Sequence, residues 1–168
     1  IGSSGGLARY DKSTMKKDLF LYEDGYPVGN ILCLFEDSRG YLWISNTVGG
    51  PYGGVPSLMT LSGDTWTKRD DVLIGNRAIT SISEDSQGNL WMTDGGLISV
   101  FGGAAERVLI PFNLYKVTCD RGMNDLILWQ GGNERGTSEA QSLYRYSAGD
   151  LKNLDIPPSY FRYYCIDT

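Results

Sequence analysis

Short apolar runs alternate along this chain with clusters of glycine, aspartate, asparagine and serine. No segment sustains the apolar spacing of a helix. The clearest stretch covers residues 79–112. Its apolar runs at 79–85, 90–93, 97–101 and 107–112 are rich in β-branched and aromatic side chains, and polar clusters at 86–89, 94–96 and 102–105 separate them. Runs of that length bounded by turn formers predict four strands joined by tight connections.

The same pattern occurs more than once. Residues 31–43 read ILCLFEDSRGYLW and residues 79–91 read ITSISEDSQGNLW, 48 positions apart. Weaker copies flank them. The chain opens on IGSSGGLARYD, an echo of WMTDGGLISVF, which puts the missing tryptophan one place ahead of Ile1. VTCDRGMNDLILWQGG puts Trp129 in the tryptophan place, SLYRY at 142–146 echoes LARY at 7–10, and FRYYCIDT at 161–168 reads as another first strand.

Four antiparallel strands recurring every 40–50 residues predict an all-β fold of β-propeller blades. About four blades are expected, with repeats at roughly 1–30, 31–78, 79–115 and 116–160 and a further one starting at 161–168. The chain reads as a single propeller domain, or a fragment of one, cut mid-blade at both ends. Part of a longer propeller is the preferred reading, and a closed four-bladed ring is the alternative. The repeated residues have structural reasons to recur. Asp37 and Asp85 can accept backbone N–H bonds in the turn that follows them. Gly40 and Gly88 can take a positive φ. Trp43, Trp91 and Trp129 are apolar plates able to pack between blades. A calcium loop is the competing reading of the acidic turn, but the alternating ligand pattern of such loops is missing.

Composition narrows the chemistry. The chain has 168 residues, 41% of them hydrophobic and 21% charged, which suits a folded domain. Its formal net charge of -5 disfavours nucleic acid as a partner. No apolar run is long enough to span a membrane. No signal peptide is legible, although a start at Ile1 reads as a processed or cropped product. Cys33, Cys119 and Cys165 lie in strand-like runs and read as small buried hydrophobes, not as a disulfide or zinc set. No metal or cofactor is expected. There is no histidine at all, which removes histidine-based triads and the commonest general base.

The segments EDSRGYLWIS and SEDSQGNLWMTDGGLISVFGG resemble the two-component regulator propeller repeat. The resemblance is carried well by residues 5–11, 31–46 and 79–103, and poorly around Trp129 and at 161–168. It implies the sensory part of a bacterial hybrid two-component regulator, with propellers of about seven blades outside the inner membrane. Such a sensor would bind an oligosaccharide or dimerise and signal to a kinase inside. A periplasmic or extracellular location follows from the same resemblance.

Ligand contacts are expected on the loops of one propeller face. Those between fourth and first strands are 23–30, 70–78, 111–116 and 157–162. Those between second and third strands are 2–6, 47–56, 94–96 and 131–142. They hold Tyr26, Asn30, Tyr52, Asn76, Arg77, Asn113, Tyr115, Arg135, Tyr160 and Arg162, whose rings and donors suit a sugar. The first functional reading is therefore a non-enzymatic sensor module that recognises a carbohydrate. The alternative is a protein-interaction scaffold, with a homodimer or the remainder of the propeller as partner. A propeller lyase or hydrolase is the least favoured. It would draw on loop carboxylates at Glu23, Asp24, Asp70, Asp71, Glu134 and Glu139, a glycosidase needing two of them about 5–10 Å apart.

Overall fold

The structure, a computed structural model, describes residues 1–3, 5–26, 28–48, 54–74, 76–120, 125–130 and 142–155. Fifteen strands among these residues form four antiparallel sheets. The first sheet orders β1 (Gly2–Ser3), β2 (Gly6–Tyr10) and β3 (Lys17–Leu21), and a 3-10 turn at Tyr22–Asp24 follows it. The second orders β4 (Asn30–Glu36), β5 (Leu42–Val48), β6 (Val55–Ser62) and β7 (Thr65–Lys68). The third contains β8 (Ser81–Glu84), β9 (Leu90–Thr93), β10 (Leu97–Phe101) and β11 (Ala104–Val108). The fourth contains β12 (Leu114–Asp120), β13 (Asp125–Gln130), β14 (Leu143–Ser147) and β15 (Asp150–Asn153). Each sheet is a chain-order meander. The expected strand at 161–168 and Cys165 lie outside the described residues.

Two strand boundaries differ from expectation. The fourth strand of the third sheet starts at Ala104, not Arg107. Gly102 and Gly103 both have positive φ, at 57° and 89°, so a two-residue turn closes the hairpin and Phe101 pairs directly with Ala104. The loop expected at 2–6 is shorter, because Gly2 pairs with Leu7 and Ser3 with Gly6.

The recurring turn is built identically in the second and third sheets. Asp37 accepts the backbone N–H groups of Arg39 and Tyr41 on Oδ1, both at 3.0 Å, and the Trp43 indole N–H on Oδ2 at 2.9 Å. Asp85 accepts Gln87 N–H and Asn89 N–H at 2.9 Å each, and the Trp91 indole at 3.2 Å. Gly40 and Gly88 complete the turns at φ 80° and 81°. Trp43 is only 2% exposed, and the Arg69 guanidinium lies 4.7 Å from its ring centroid while pairing with Asp71.

Trp129 does not occupy the tryptophan place. Trp43 and Trp91 stand second in their strands, next to the turn, whereas Trp129 is fifth of six in β13. It pairs with Leu143, as Ser45 pairs with Leu58 and Thr93 with Leu97. The register thus gives the tryptophan place to Ile127. Sequence alignment on the tryptophan alone shifted this copy by two residues, which keeps the side chain on the same face of the strand.

The chain divides into two compact units, Ile1–Ile79 and Thr80–Thr168. Within each, two sheets pack face to face by one rule. Strands β2, β6, β10 and β14 each carry a buried leucine, namely Leu7, Leu58, Leu97 and Leu143, which defines a leucine face and a reverse face. In the first unit, Leu7 and Phe20 on the leucine face of the first sheet meet Ile44, Met59 and Leu61 on the reverse face of the second. In the other unit, Leu97 with Trp91 and Val108 meets Val117, Cys119, Leu126 and Leu128. Trp91 also sets its ring edge-on to Tyr146 at 6.2 Å. Arg9 clips the first pair together, reaching Gly63 O at 3.3 Å and Asp64 Oδ1 at 3.2 Å in the β6–β7 turn.

Removing the turn carboxylate strands a buried indole donor. Asp37→Ala is expected to cost about 1–3 kcal/mol, read by urea denaturation. Asp85→Ala should cost less, since Trp91 is only half-buried and water can reach its indole. Burial by itself would push both carboxyls up. The Trp43, Tyr41 and Arg39 bonds on Asp37, and the Asn89, Trp91 and Gln87 bonds on Asp85, outweigh it and leave both below the ordinary range. Folded values below unfolded ones give stability that is present above about pH 4 and drains as pH falls further. The urea midpoint should therefore drop below that pH, and less steeply in the Asp37→Asn, Asp85→Asn double variant.

Candidate functional site

In the second and third sheets the turn end is chemically saturated. The opposite end, where first strands begin and second strands finish, is where the copies differ. Two first strands carry a bulge there. In β4 the pairing shifts between Ile31 and Cys33, and in β12 between Leu114 and Lys116. A bulge leaves one residue out of the ladder and re-aims it. The displaced residues are Leu32, 45% exposed, and Tyr115, 69% exposed.

In the second unit, Tyr115 sits on a cluster of oxygens. Its carbonyl accepts the Thr80 hydroxyl at 3.0 Å and the Thr93 hydroxyl at 3.4 Å, and the two hydroxyls lie 2.9 Å apart. Leu114 N–H donates to Gly95 O at 3.0 Å, tying this strand to the Asp94-Gly95-Gly96 turn. Asp94 is buried and held by Arg107 through two bonds of 2.9 and 2.6 Å. That bonding makes the Arg107 guanidinium harder still to deprotonate. A Cβ on Gly96 would meet Arg107 Nη1 at 2.4 Å, so a side chain there would push the guanidinium off Asp94. Asn113 is exposed beside Tyr115. Lys116 Nζ lies 5.9 Å from the Trp129 ring centroid, and Phe112 stacks on Tyr144 at 4.2 Å.

In the first unit, the equivalent positions read differently. Asn46 takes the place of Asp94, Ser45 that of Thr93, Leu32 that of Thr80, and Lys68 that of Arg107. Asn46 Oδ1 accepts Gly29 N–H at 3.3 Å. Asn46 Nδ2 and Ser45 Oγ are buried without a hydrogen-bond partner among the described residues. The reason lies in the replacements. Leu32 supplies no hydroxyl for Ser45, and Lys68 turns to Asp70 at 2.8 Å. Sequence reasoning passed over Ser45 and Asn46. The loss of Thr80 in the aligned EDS copies was the available signal.

The predicted ligand residues separate on inspection. Tyr26 packs edge-on to Phe20 at 5.1 Å and lies 6.1 Å from Trp66, so its ring is spent on the core of the first unit. Asn30 is half-buried and opens β4 opposite Thr47, and Asn76 and Arg77 are exposed in the same unit. Asn113 and Tyr115 are both exposed in the second unit. Tyr52, Arg135, Tyr160 and Arg162 lie outside the described residues, as do Glu134 and Glu139. Of the loop carboxylates, Asp70 and Asp71 are ion-paired with Lys68 and Arg69, and Glu23 and Asp24 are exposed in the 3-10 turn.

The sequence pattern described as two component regulator propeller matches residues 25–47 and 73–96, each of which contains one Asp–Trp turn. The chain carries the two-component regulator propeller repeat. No curated protein matches the sequence. Among solved structures, the extracellular domain of a hybrid two-component system from B. thetaiotaomicron gives a TM-score of 0.66 at 17% identity, over 90% of this chain and 20% of that one. PorZ, a surface component of the type-IX secretion system of Porphyromonas gingivalis, gives 0.60 at 13% identity, over 89% and 24%. A structural-genomics target named as a gluconolactonase gives 0.53 at 14% identity, over 89% and 66%. At these identities the likeness establishes the fold: the sheets are propeller blades. The repeat-bearing chain spans about a fifth to a quarter of the first two relatives. No described helix is long and apolar enough to cross a membrane.

The two halves of the repeat pattern should respond oppositely to loss of a hydroxyl. Thr93→Val removes a bonded donor and is expected to cost about 1 kcal/mol, whereas Ser45→Ala removes an unsatisfied one and should be neutral or stabilising. Thermal and urea unfolding of both variants would check this.

Proposed function

We propose that this chain is part of the extracytoplasmic sensor propeller of a two-component signalling protein, and that it recognises a carbohydrate. The observation that carries the reading is the two-component regulator propeller repeat, present twice. The fold likeness to an extracellular domain of a hybrid two-component system supports it. The likeness to a gluconolactonase is one of fold at 14% identity and brings no reaction with it.

The contact surface in this reading is the bulged end of the first strands with its neighbouring loops, taken unit by unit. Tyr115 offers an exposed ring for stacking on a sugar face, with Asn113 beside it as donor and acceptor. In the first unit Asn30, Asn76 and Arg77 are the polar candidates. Tyr52, Arg135, Tyr160 and Arg162 belong to the same proposal as loop residues.

Titration calorimetry against a panel of plant and host oligosaccharides tests it. At least one member is expected to bind, and Tyr115→Ala to weaken that binding by up to about tenfold. Silence across the panel, with self-association of the purified chain lost on trimming a terminal strand, would favour the protein-interaction scaffold instead.

A further inference from the structure

One edge of the fourth sheet is met by side chains instead of a strand. β12 stands at that edge. Its Val117 carbonyl accepts the Ser81 hydroxyl at 3.1 Å, and the Val117 N–H donates back to the same oxygen at 3.3 Å. The Cys119 N–H donates to Ser83 Oγ at 2.8 Å. Thr80 and Thr93 continue the series, their hydroxyls 3.0 and 3.4 Å from the Tyr115 carbonyl and 2.9 Å from each other. Four hydroxyls thus meet β12 at Tyr115, Val117 and Cys119, every second residue from the bulge onward. Val117 and Cys119 are buried, where an edge group left without a partner is costly. The second sheet lacks the residues for such a series. Leu32, Cys33 and Phe35 stand there at the places of Thr80, Ser81 and Ser83.

We propose that these four hydroxyls act as one latch, closing and opening together, that holds the bulge of β12 and so positions the Tyr115 ring. The bonds share atoms. Thr80 and Thr93 converge on one carbonyl, and the Ser81 oxygen serves both backbone groups of Val117. Hydrogen bonds linked in this way polarise one another, and residues tied by such a network open as a unit. The bulge that re-aims Tyr115 sits at one end of the series, with only Lys116 between it and the first serine-held residue. Thr80, Thr93, Ser81 and Ser83 are positioning residues in this scheme, and buried Ser81 acts on the Tyr115 surface through β12. The latch stands on the hydrogen-bond geometry. Its bearing on a ligand rests on the carbohydrate reading of that surface.

Amide hydrogen exchange, followed residue by residue in the 168-residue chain carrying Thr80→Val and Thr93→Val, tests the latch. Valine keeps the shape of threonine and removes its hydroxyl. The Val117 and Cys119 amides keep their own serine partners in this variant. Their exchange is nevertheless expected to speed up about tenfold or more relative to the β13–β14 ladder, and to stay slow with Thr80→Ser and Thr93→Ser. Unchanged exchange at Val117 and Cys119, or acceleration no greater than that of the β13–β14 ladder, overturns the proposal. If the valine pair does not fold, Ser81→Ala decides. The Cys119 amide, held by Ser83, exchanges faster if the hydroxyls act together, and an unchanged rate there overturns the latch. Ser81→Ala is also expected to weaken the binding of a glycan identified by calorimetry, and unaltered binding overturns the positioning of Tyr115. If no glycan binds, the carbohydrate reading fails, and the exchange rates alone uphold or overturn the latch.

Discussion

The second and third sheets hang on a carboxylate placed just past the end of a first strand. Asp37 and Asp85 each collect two turn amides and one indole N–H. A single side chain thereby closes the hairpin, satisfies two turn amides, and fixes the rotation of a large ring. Charge-assisted bonds of this kind are about twice as strong as neutral ones, and leaving their donors unmet is costlier than forming them is favourable. The glycine that follows is dictated by the same geometry. With a non-glycine residue at φ near 80° the turn amides would not converge on one oxygen without strain.

In the second unit the fixed ring takes part in sheet stacking, Trp91 joining Leu97 against the fourth sheet. Trp43 and Trp91 both lie on the leucine face, two residues from Ser45 and Thr93, the partners of Leu58 and Leu97. That face is thick and the reverse face is lined by aliphatic and tyrosine side chains. The two faces differ, and within each unit a leucine face meets a reverse face. Close packing makes such pairings discrete.

Strand periodicity, turn glycines and the EDSxGxLW copies were legible because they depend on contacts within a few residues. The bulges at Leu32 and Tyr115 were not, because they show only in the pairing with a second strand. The Trp129 misplacement has a related cause. Alignment on one conspicuous residue ignores the third strand, and only the Leu143 pairing fixes the register. Tyr26 illustrates the limit of reading loops by composition. A tyrosine in a loop looks available for binding until Phe20 and Trp66 are found against it.

The contrast between the two ends of a sheet is what remains. At the turn end, both oxygens of each aspartate are engaged, and any substitution there is a change of scaffold. At the other end, the same register places hold Ser45 and Asn46 in one sheet, Thr93 and Asp94 in another, and Trp129 and Gln130 in a third. Where Asp94 brings a charge, Arg107 neutralises it, and where Asn46 brings none, Lys68 is released to Asp70. The set with Asn46 leaves Ser45 Oγ and Asn46 Nδ2 unpaired among the described residues, yet the Asp–Trp turns at the far end of the two sheets are built alike, so this end varies without disturbing those turns. A repeat built in this way separates the residues that must recur from those free to differ, and binding chemistry can accumulate only among the latter.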